Sequence, residues 1–316
     1  MLFNVCALYI KIMNNENQTI HKSDDNLTIY GWNEKLNQLK QESIYSALAH
    51  GRVSIVHRTC YEVISGNGLF QCELTGNMMY GKSDDELPCT GDWVIFQPFD
   101  EHKGIIVDSL PRERTLYRKK SGTVADKQAI ASYVDKAFIV QSLDDNFNVR
   151  RVERFMVQIM EENISSVLVL NKADLDFDRQ SVEEQIKHIS SQIPVFFTSI
   201  HQPETIVRLR KSISEGETVV FVGSSGVGKS SLVNALCEKS VLLTSDISLS
   251  TGKGRHTSTR REMVLMDSSG VLIDTPGVRE FGLAIDNPDS LAEVLEISDY
   301  AELCRFKDCK HINEPG

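Results

Sequence analysis

Gly223-Ser224-Ser225-Gly226-Val227-Gly228-Lys229-Ser230 spells GxxxxGK[ST] without a gap. The apolar run Val219 to Val222 precedes it, and a helical pattern over Leu232 to Leu236 follows. In that setting glycines let backbone N–H groups close around phosphate oxygens, and the next helix adds a favourable dipole. Lys229 would reach the β- and γ-phosphates, Ser230 would ligate Mg²⁺, and Ser231 continues the same turn. Upstream, Asn171-Lys172-Ala173-Asp174 ends the apolar run Val167 to Leu170. A carboxylate at 174 accepts from both N1–H and the 2-amino group of guanine, and adenine offers neither donor. Asn171 would tether the base edge, and Lys172 would lie along the ring face. Ser199, in Thr198-Ser199-Ile200, falls where a second base-reading loop belongs, although Ile200 departs from the usual Ser-Ala. Downstream, Asp274-Thr275-Pro276-Gly277 would set Asp274 near Mg²⁺ and the Gly277 N–H against the γ-phosphate.

The order of these motifs narrows the reading further. Ordinary small GTPases run phosphate loop, DxxG, NKxD. Here the NKxD element comes first, so the nucleotide-binding fold reads as circularly permuted. Gly252-Lys253-Gly254-Arg255-His256-Thr257-Ser258-Thr259 lies between phosphate loop and DxxG, the place of switch I. A hydroxyl of Thr257, Ser258 or Thr259 would complete the Mg²⁺ shell, and His256 is the candidate to position or activate water. Val278 stands where many GTPases carry the glutamine that orients that water, so the role falls to another group or turnover is slow. Cys304, Cys309 and His311 form C-x4-C-x-H, a zinc spacing with three of the four ligands that a structural site wants.

The elements that must carry these residues follow from patterning. From Ala129 apolar strands alternate with helical segments, the signature of a parallel sheet flanked by helices. The candidate strands are Ala137 to Val140, Val167 to Leu170, Val195 to Phe197, Val219 to Val222 and Val271 to Ile273, with a helix over Arg151 to Glu162. Before them, Arg52 to Leu110 holds short β-type runs at Val53–Val56, Tyr61–Ile64, Phe70–Leu74, Trp93–Phe96 and Ile105–Val107. Gly66-Asn67-Gly68 supplies a hairpin turn. Such a set suits an OB-fold, and pattern alone leaves other five-stranded barrels open. The predicted architecture is therefore multidomain. A mobile polar arm (1–44) ends in a short helix near Trp32 to Leu39. An OB-fold barrel (45–112) and a basic linker (113–128) follow. A circularly permuted P-loop α/β GTPase domain (129–283) leads to a short α-helical zinc-binding segment (284–316). Arg112, Arg114, Arg118, Lys119 and Lys120, in and before the linker, are candidates for RNA phosphate contacts.

Composition bounds the rest. The net charge of −10 opposes non-specific nucleic-acid binding, so any RNA contact needs local basic patches. Seven scattered cysteines without an export signal favour a reducing cytoplasm over a disulfide framework. No apolar run reaches a membrane span, and Met1 to Met13 lacks the basic start of a signal peptide, so translation from Met13 is an alternative.

Taken together, these motifs resemble the circularly permuted, ribosome small-subunit-dependent GTPases that act late in small-subunit assembly. The resemblance covers roughly residues 50 to 316. It adds Gly91-Asp92-Trp93-Val94, Asn148-x-Arg150-Arg151-x-Glu153-Arg154, Gly254-Arg255-His256-Thr257, Arg279 and Glu314-Pro315-Gly316 to the motifs above. It implies an OB-fold, a permuted GTPase domain and a C-terminal zinc domain, with GTP/GDP, Mg²⁺ and one Zn²⁺ as ligands. It implies weak intrinsic GTP hydrolysis stimulated by the small ribosomal subunit, and a hydrolytic role for His256. In the family a cysteine follows Glu-Pro-Gly as fourth zinc ligand, so zinc affinity and docking by this segment are expected to be altered. The expected protein is a cytoplasmic monomer that binds the small ribosomal subunit and its rRNA, has no membrane partner, and couples GTP hydrolysis to release. Three other readings remain at this stage: a nucleotide-gated RNA-binding module with negligible turnover, an ATP-using P-loop enzyme, and a truncated chain that has lost ribosome coupling.

Overall fold

The computed structural model describes residues 26–81, 83, 85–119, 127–237, 262–266 and 270–274. Five strands form the N-terminal unit: β1 (Ala49–Val56), β2 (Tyr61–Ser65), β3 (Gly68–Leu74), β4 (Trp93–Asp100) and β5 (Lys103–Ser109). Their order is β1-β2-β3-β5-β4, and β4 pairs back onto β1, so the sheet closes into a barrel. All of these pairings are antiparallel except β3 with β5. A short helix, α2 (Gly76–Gly81), lies between β3 and β4. The closure and the single parallel pair are those of an OB-type barrel, which patterning alone could not separate from its alternatives. Inward positions alternate along the strands, so Val53, Val63, Phe70, Cys72, Val94, Phe96 and Ile106 fill the interior.

The second unit is a parallel sheet. In spatial order it runs β10 (Val195–Thr198), β9 (Ser165–Asn171), β8 (Lys136–Ser142), β11 (Thr218–Val222) and β13 (Val271–Asp274). An antiparallel strand, β12 (Glu262–Leu265), borders β13 and meets the barrel where its Glu262 pairs with Ile55 of β1. Helices α3 (Val149–Glu161), α4 (Arg179–Gln185) and α5 (Lys187–Ser190) contribute to one core with Ile139, Leu168 and Val220. Helices α6 (Pro203–Lys211) and α7 (Lys229–Leu236) contribute to the other with Phe138, Val169 and Phe221. A sheet covered on both faces needs near-continuous apolar strands, which is why these runs stood out in the sequence.

Two stretches differ from the expectations above. The polar arm packs from Leu27 onward. Leu27, Trp32 and Leu36, the last on α1 (Glu34–Glu42), are buried against Trp93, Ile95, Leu110 and Tyr133. The basic linker contains a hairpin, β6 (Leu116–Lys119) on β7 (Lys127–Ala131), because Leu116 and Ile130 are both core residues. Two of the arginines read as phosphate contacts are also engaged internally. Arg112 grips the buried Asp92 through Nε (2.9 Å) and Nη2 (2.7 Å), and Arg114 pairs with Asp135 at 3.0 Å.

Arg52 joins the units. Its guanidinium, 1% exposed on β1, donates to the carbonyls of Gly91 and Tyr30 and to Thr218 Oγ1 at the start of β11. Burial pushes it down to about 10, so it stays charged at neutral pH. Arg52→Met keeps the stem and strands these acceptors. It is expected to lower stability by about 3 kcal/mol, read as a fall in the urea midpoint.

Candidate nucleotide-binding site

The carboxyl ends of the parallel strands lie at one edge, where open α/β sheets bind ligands. β9 delivers Asn171, β10 delivers Thr198 and Ser199, β11 runs into Gly223, and β13 ends at the backbone of Asp274. The structure thus brings the NKxD element, the second base loop and the phosphate loop together, although they are scattered along the chain.

The base side is built first. Lys172 adopts φ +62°, a turn straight after β9 that folds the chain toward β10, and the Ala173 N–H donates to the Thr198 carbonyl at 3.0 Å. Asp174 then meets Ser199, whose Oγ donates to Oδ1 at 2.5 Å. Ser199 is itself held by the Thr205 hydroxyl, which accepts from its N–H at 3.0 Å. The Ser199 hydrogen bond holds the Asp174 carboxyl below its usual range, so it is ionised and acceptor-only at neutral pH. A groove of about 230 Å³ runs along these residues, lined by Asn171, Lys172, Asp174, Ser199, Gly228 and Ser231 among others. A larger groove of about 400 Å³ lies between α1 and the barrel, against Arg52 and Arg114. Its two arginines are already bonded within the protein and no residue of the nucleotide motifs lines it, so the smaller groove is the chemically relevant one.

The phosphate side is a tight loop. Gly223 has φ +150°, and a Cβ there would lie 2.4 Å from the Val140 carbonyl oxygen. Gly228, at φ +93°, caps α7 and sits against the Asn171 side chain. Ser225, Gly226 and Ser230 face solvent, while Val227 is buried beneath them. Lys229 folds back over its own loop, donating to the carbonyls of Gly223 (2.7 Å) and Ser224 (2.6 Å). Asn171 ties the two sides together: its Nδ2 donates to the Val227 carbonyl at 2.8 Å, and its Oδ1 accepts from Thr198 at 3.3 Å. Ser230 offers a hard oxygen beside Lys229, a donor type that suits Mg²⁺.

Sequence reasoning missed Asp144 and named Arg151 only within the family motif, without a role. Asp144 follows β8 and accepts from Lys172 Nζ at 2.7 Å and from Ser142 Oγ at 2.6 Å. Burial works against its ionisation, but the hydrogen bonds from Lys172, Ser142 and the Asn146 N–H outweigh it and hold the carboxyl at about 2. Its hold on Lys172 is therefore complete above its ordinary value of 3.8 and is lost only as pH falls toward 2. Asp144→Asn frees Lys172 and is expected to weaken GDP binding about threefold at neutral pH, measured by fluorescent-nucleotide titration. Its position one strand-end away from Gly223 was the available signal. His256, Thr257, Ser258, Gly277, Cys304, Cys309 and His311 lie outside the described residues, as does Val278. No helix among the described residues is long and apolar enough to cross a membrane.

A parallel sheet entered from its base-reading side and joined to a closed five-stranded barrel is the architecture of a circularly permuted P-loop GTPase. The family model described as RsgA GTPase matches residues 109–284, and the chain belongs to that family of GTP hydrolases. It is 74% identical, over 96% of its length and 84% of the relative's, to a protein of Bacteroides thetaiotaomicron named small ribosomal subunit biogenesis GTPase RsgA 1. A Methanosarcina acetivorans protein named small ribosomal subunit biogenesis GTPase RsgA is 38% identical over 96% of this chain and 83% of its own. Among solved structures, YjeQ from Thermotoga maritima matches with TM-score 0.62 at 24% identity, covering 84% of this chain and 88% of that one. YloQ, described as a circularly permuted GTPase, matches with TM-score 0.60 at 22% identity over 85% of each chain. These two structures share the fold.

Proposed function

We propose that this chain is a GTP hydrolase acting late in maturation of the small ribosomal subunit, binding its rRNA and coupling hydrolysis to release. The observation that carries the reading is the Asn171 junction, where one amide joins the base-reading loop to the phosphate loop in a protein 74% identical to a small ribosomal subunit biogenesis GTPase. Asp174 reads the guanine edge and Ser199 orients it. Lys172 covers the ring face. The backbone of Gly223 to Gly228 and the start of α7 cradle the phosphates, with Lys229 turning from its loop carbonyls to the β- and γ-oxygens. Ser230, with Asp274 nearby, would hold Mg²⁺, which would supply charge neutralisation to the phosphates. In switch I, His256 supplies the water-handling role that Val278 lacks, and a hydroxyl of Thr257 or Ser258 would complete the Mg²⁺ shell. Gly277 reports the γ-phosphate.

In the same reading the barrel contacts rRNA and the molecule works as a cytoplasmic monomer. Cys304, Cys309 and His311 hold one Zn²⁺ together with a further ligand, an assignment supported by their spacing. Hydrolysis of GTP, with ATP as control, is measured with and without purified small ribosomal subunits. Strong stimulation confined to GTP supports the reading. Equal rates with and without subunits reject the ribosomal part of it.

A further inference from the structure

Arg151 is unexplained by the roles assigned so far. It sits in the first turn of α3, where Asn148 caps the helix by accepting from the Arg151 N–H. A helix N-terminus carries partial positive charge, so a cation there is electrostatically misplaced unless something offsets it. Its neighbour Arg150 is offset by the buried carboxylate of Glu153, at 3.0 Å. Arg151 meets no carboxylate among the described residues. The near candidate, Asp144, is taken by Lys172.

Instead the Arg151 guanidinium reaches across to the phosphate loop. Nη1 donates to Ser224 Oγ at 3.0 Å and to Asn146 at Oδ1 (3.1 Å) and the carbonyl (3.3 Å). Asn146 in turn donates from Nδ2 to the same Ser224 oxygen at 3.4 Å. Ser224 immediately precedes the exposed Ser225-Gly226 stretch of the loop. A half-buried guanidinium is thus anchored on the rim of an anion site by neutral acceptors only, with its charge uncompensated within the described residues. Such a charge has its favourable partner in the ligand.

We propose that Arg151 is a phosphate-site cation of this GTPase, anchored by Asn146 and Ser224, whose charge selects the triphosphate over the diphosphate. The inference rests on the reading of residues 223–230 as the phosphate site. It assigns that selectivity to the chain's own α3, in addition to Lys229. Lysine at 151 keeps the charge and loses the planar fork, so it separates electrostatics from anchoring.

The test titrates a fluorescent GDP and a fluorescent non-hydrolysable GTP analogue onto wild type, R151A, R151K and K229A, with thermal melts of each. R151A is expected to bind the GTP analogue about tenfold more weakly and GDP about threefold or less, with an unchanged melting temperature. R151K is expected to recover most of the triphosphate preference. Equal losses for the two nucleotides with a lowered melting temperature mean that Arg151 only shapes the loop, and overturn the proposal. Unchanged binding in R151A overturns it too, provided K229A has lost affinity. If K229A also binds normally, the phosphate-site reading itself falls.

Discussion

Asp174→Asn is expected to turn a guanine site into a xanthine site, with affinity for GTP falling on the order of a thousandfold. The carboxylate accepts two hydrogen bonds from the guanine edge, from N1–H and the 2-amino group. An amide at 174 still accepts one but meets the 2-amino group with its own N–H. Two donors then face each other in a confined groove, and each unmatched buried group costs about 1–3 kcal/mol, more where charge is involved. Xanthine carries a carbonyl at that position, so the amide N–H regains a partner. Ser199 is a built-in check on this logic. Its hydroxyl donates to Asp174 at 2.5 Å and also holds the carboxylate ionised. In the variant that hydroxyl can still donate to the amide oxygen, which leaves the amide nitrogen aimed at the base. Parallel titrations with GDP and XDP measure the exchange. Retention of GDP affinity would remove Asp174 from the base site and reopen the ATP-using alternative.

How much of this site was legible in the sequence depends on whether a residue's partner is local. The phosphate loop declares itself because glycine, lysine and serine must follow one another between a strand and a helix. The NKxD element declares itself for the same reason. The contacts of Asp144 and Arg151 did not, because their partners Lys172 and Ser224 lie 28 and 73 residues away. The fold divides along the same line. Strands buried on both faces, such as Val219 to Val222, read as apolar runs, and barrel strands such as Gly68–Leu74 read by alternation. The hairpin of Leu116–Lys119 was hidden by its basic residues, since its reason for forming is a pair of side chains, Leu116 and Ile130, reaching a distant core. Barrel closure was invisible for a related reason: it depends on β4 returning to β1 across the intervening hairpins.

Gly228→Ala is the second large effect expected, and it tests the junction rather than either loop. Gly228 has φ +93°, and an added Cβ would sit 2.3 Å from Asn171 Nδ2. Alanine is therefore disfavoured twice, by backbone conformation and by collision with a buried amide. The collision cannot be relieved by moving Asn171 alone, because that amide donates to the Val227 carbonyl and accepts from Thr198. Either the phosphate loop shifts outward or Asn171 lets go of both. An outward shift misplaces the backbone N–H groups that follow Val227, and release of Asn171 unmoors the base loop. Both routes damage phosphate and base binding together, so GDP and GTP-analogue affinities are expected to fall by at least about a hundredfold, with a stability loss of about 2–3 kcal/mol. In a permuted chain this joint has particular weight. The base-reading element precedes the phosphate loop by α4, α5, β10, α6 and β11, so chain continuity does not hold their spacing, and the side chain at 171 does. Asn171→Ala therefore makes a useful partner variant: in a Gly228→Ala, Asn171→Ala double variant the collision disappears, and part of the lost stability should return without the lost affinity. Full recovery of nucleotide binding in that double variant would show that the junction is only a packing contact and that the two loops are positioned independently.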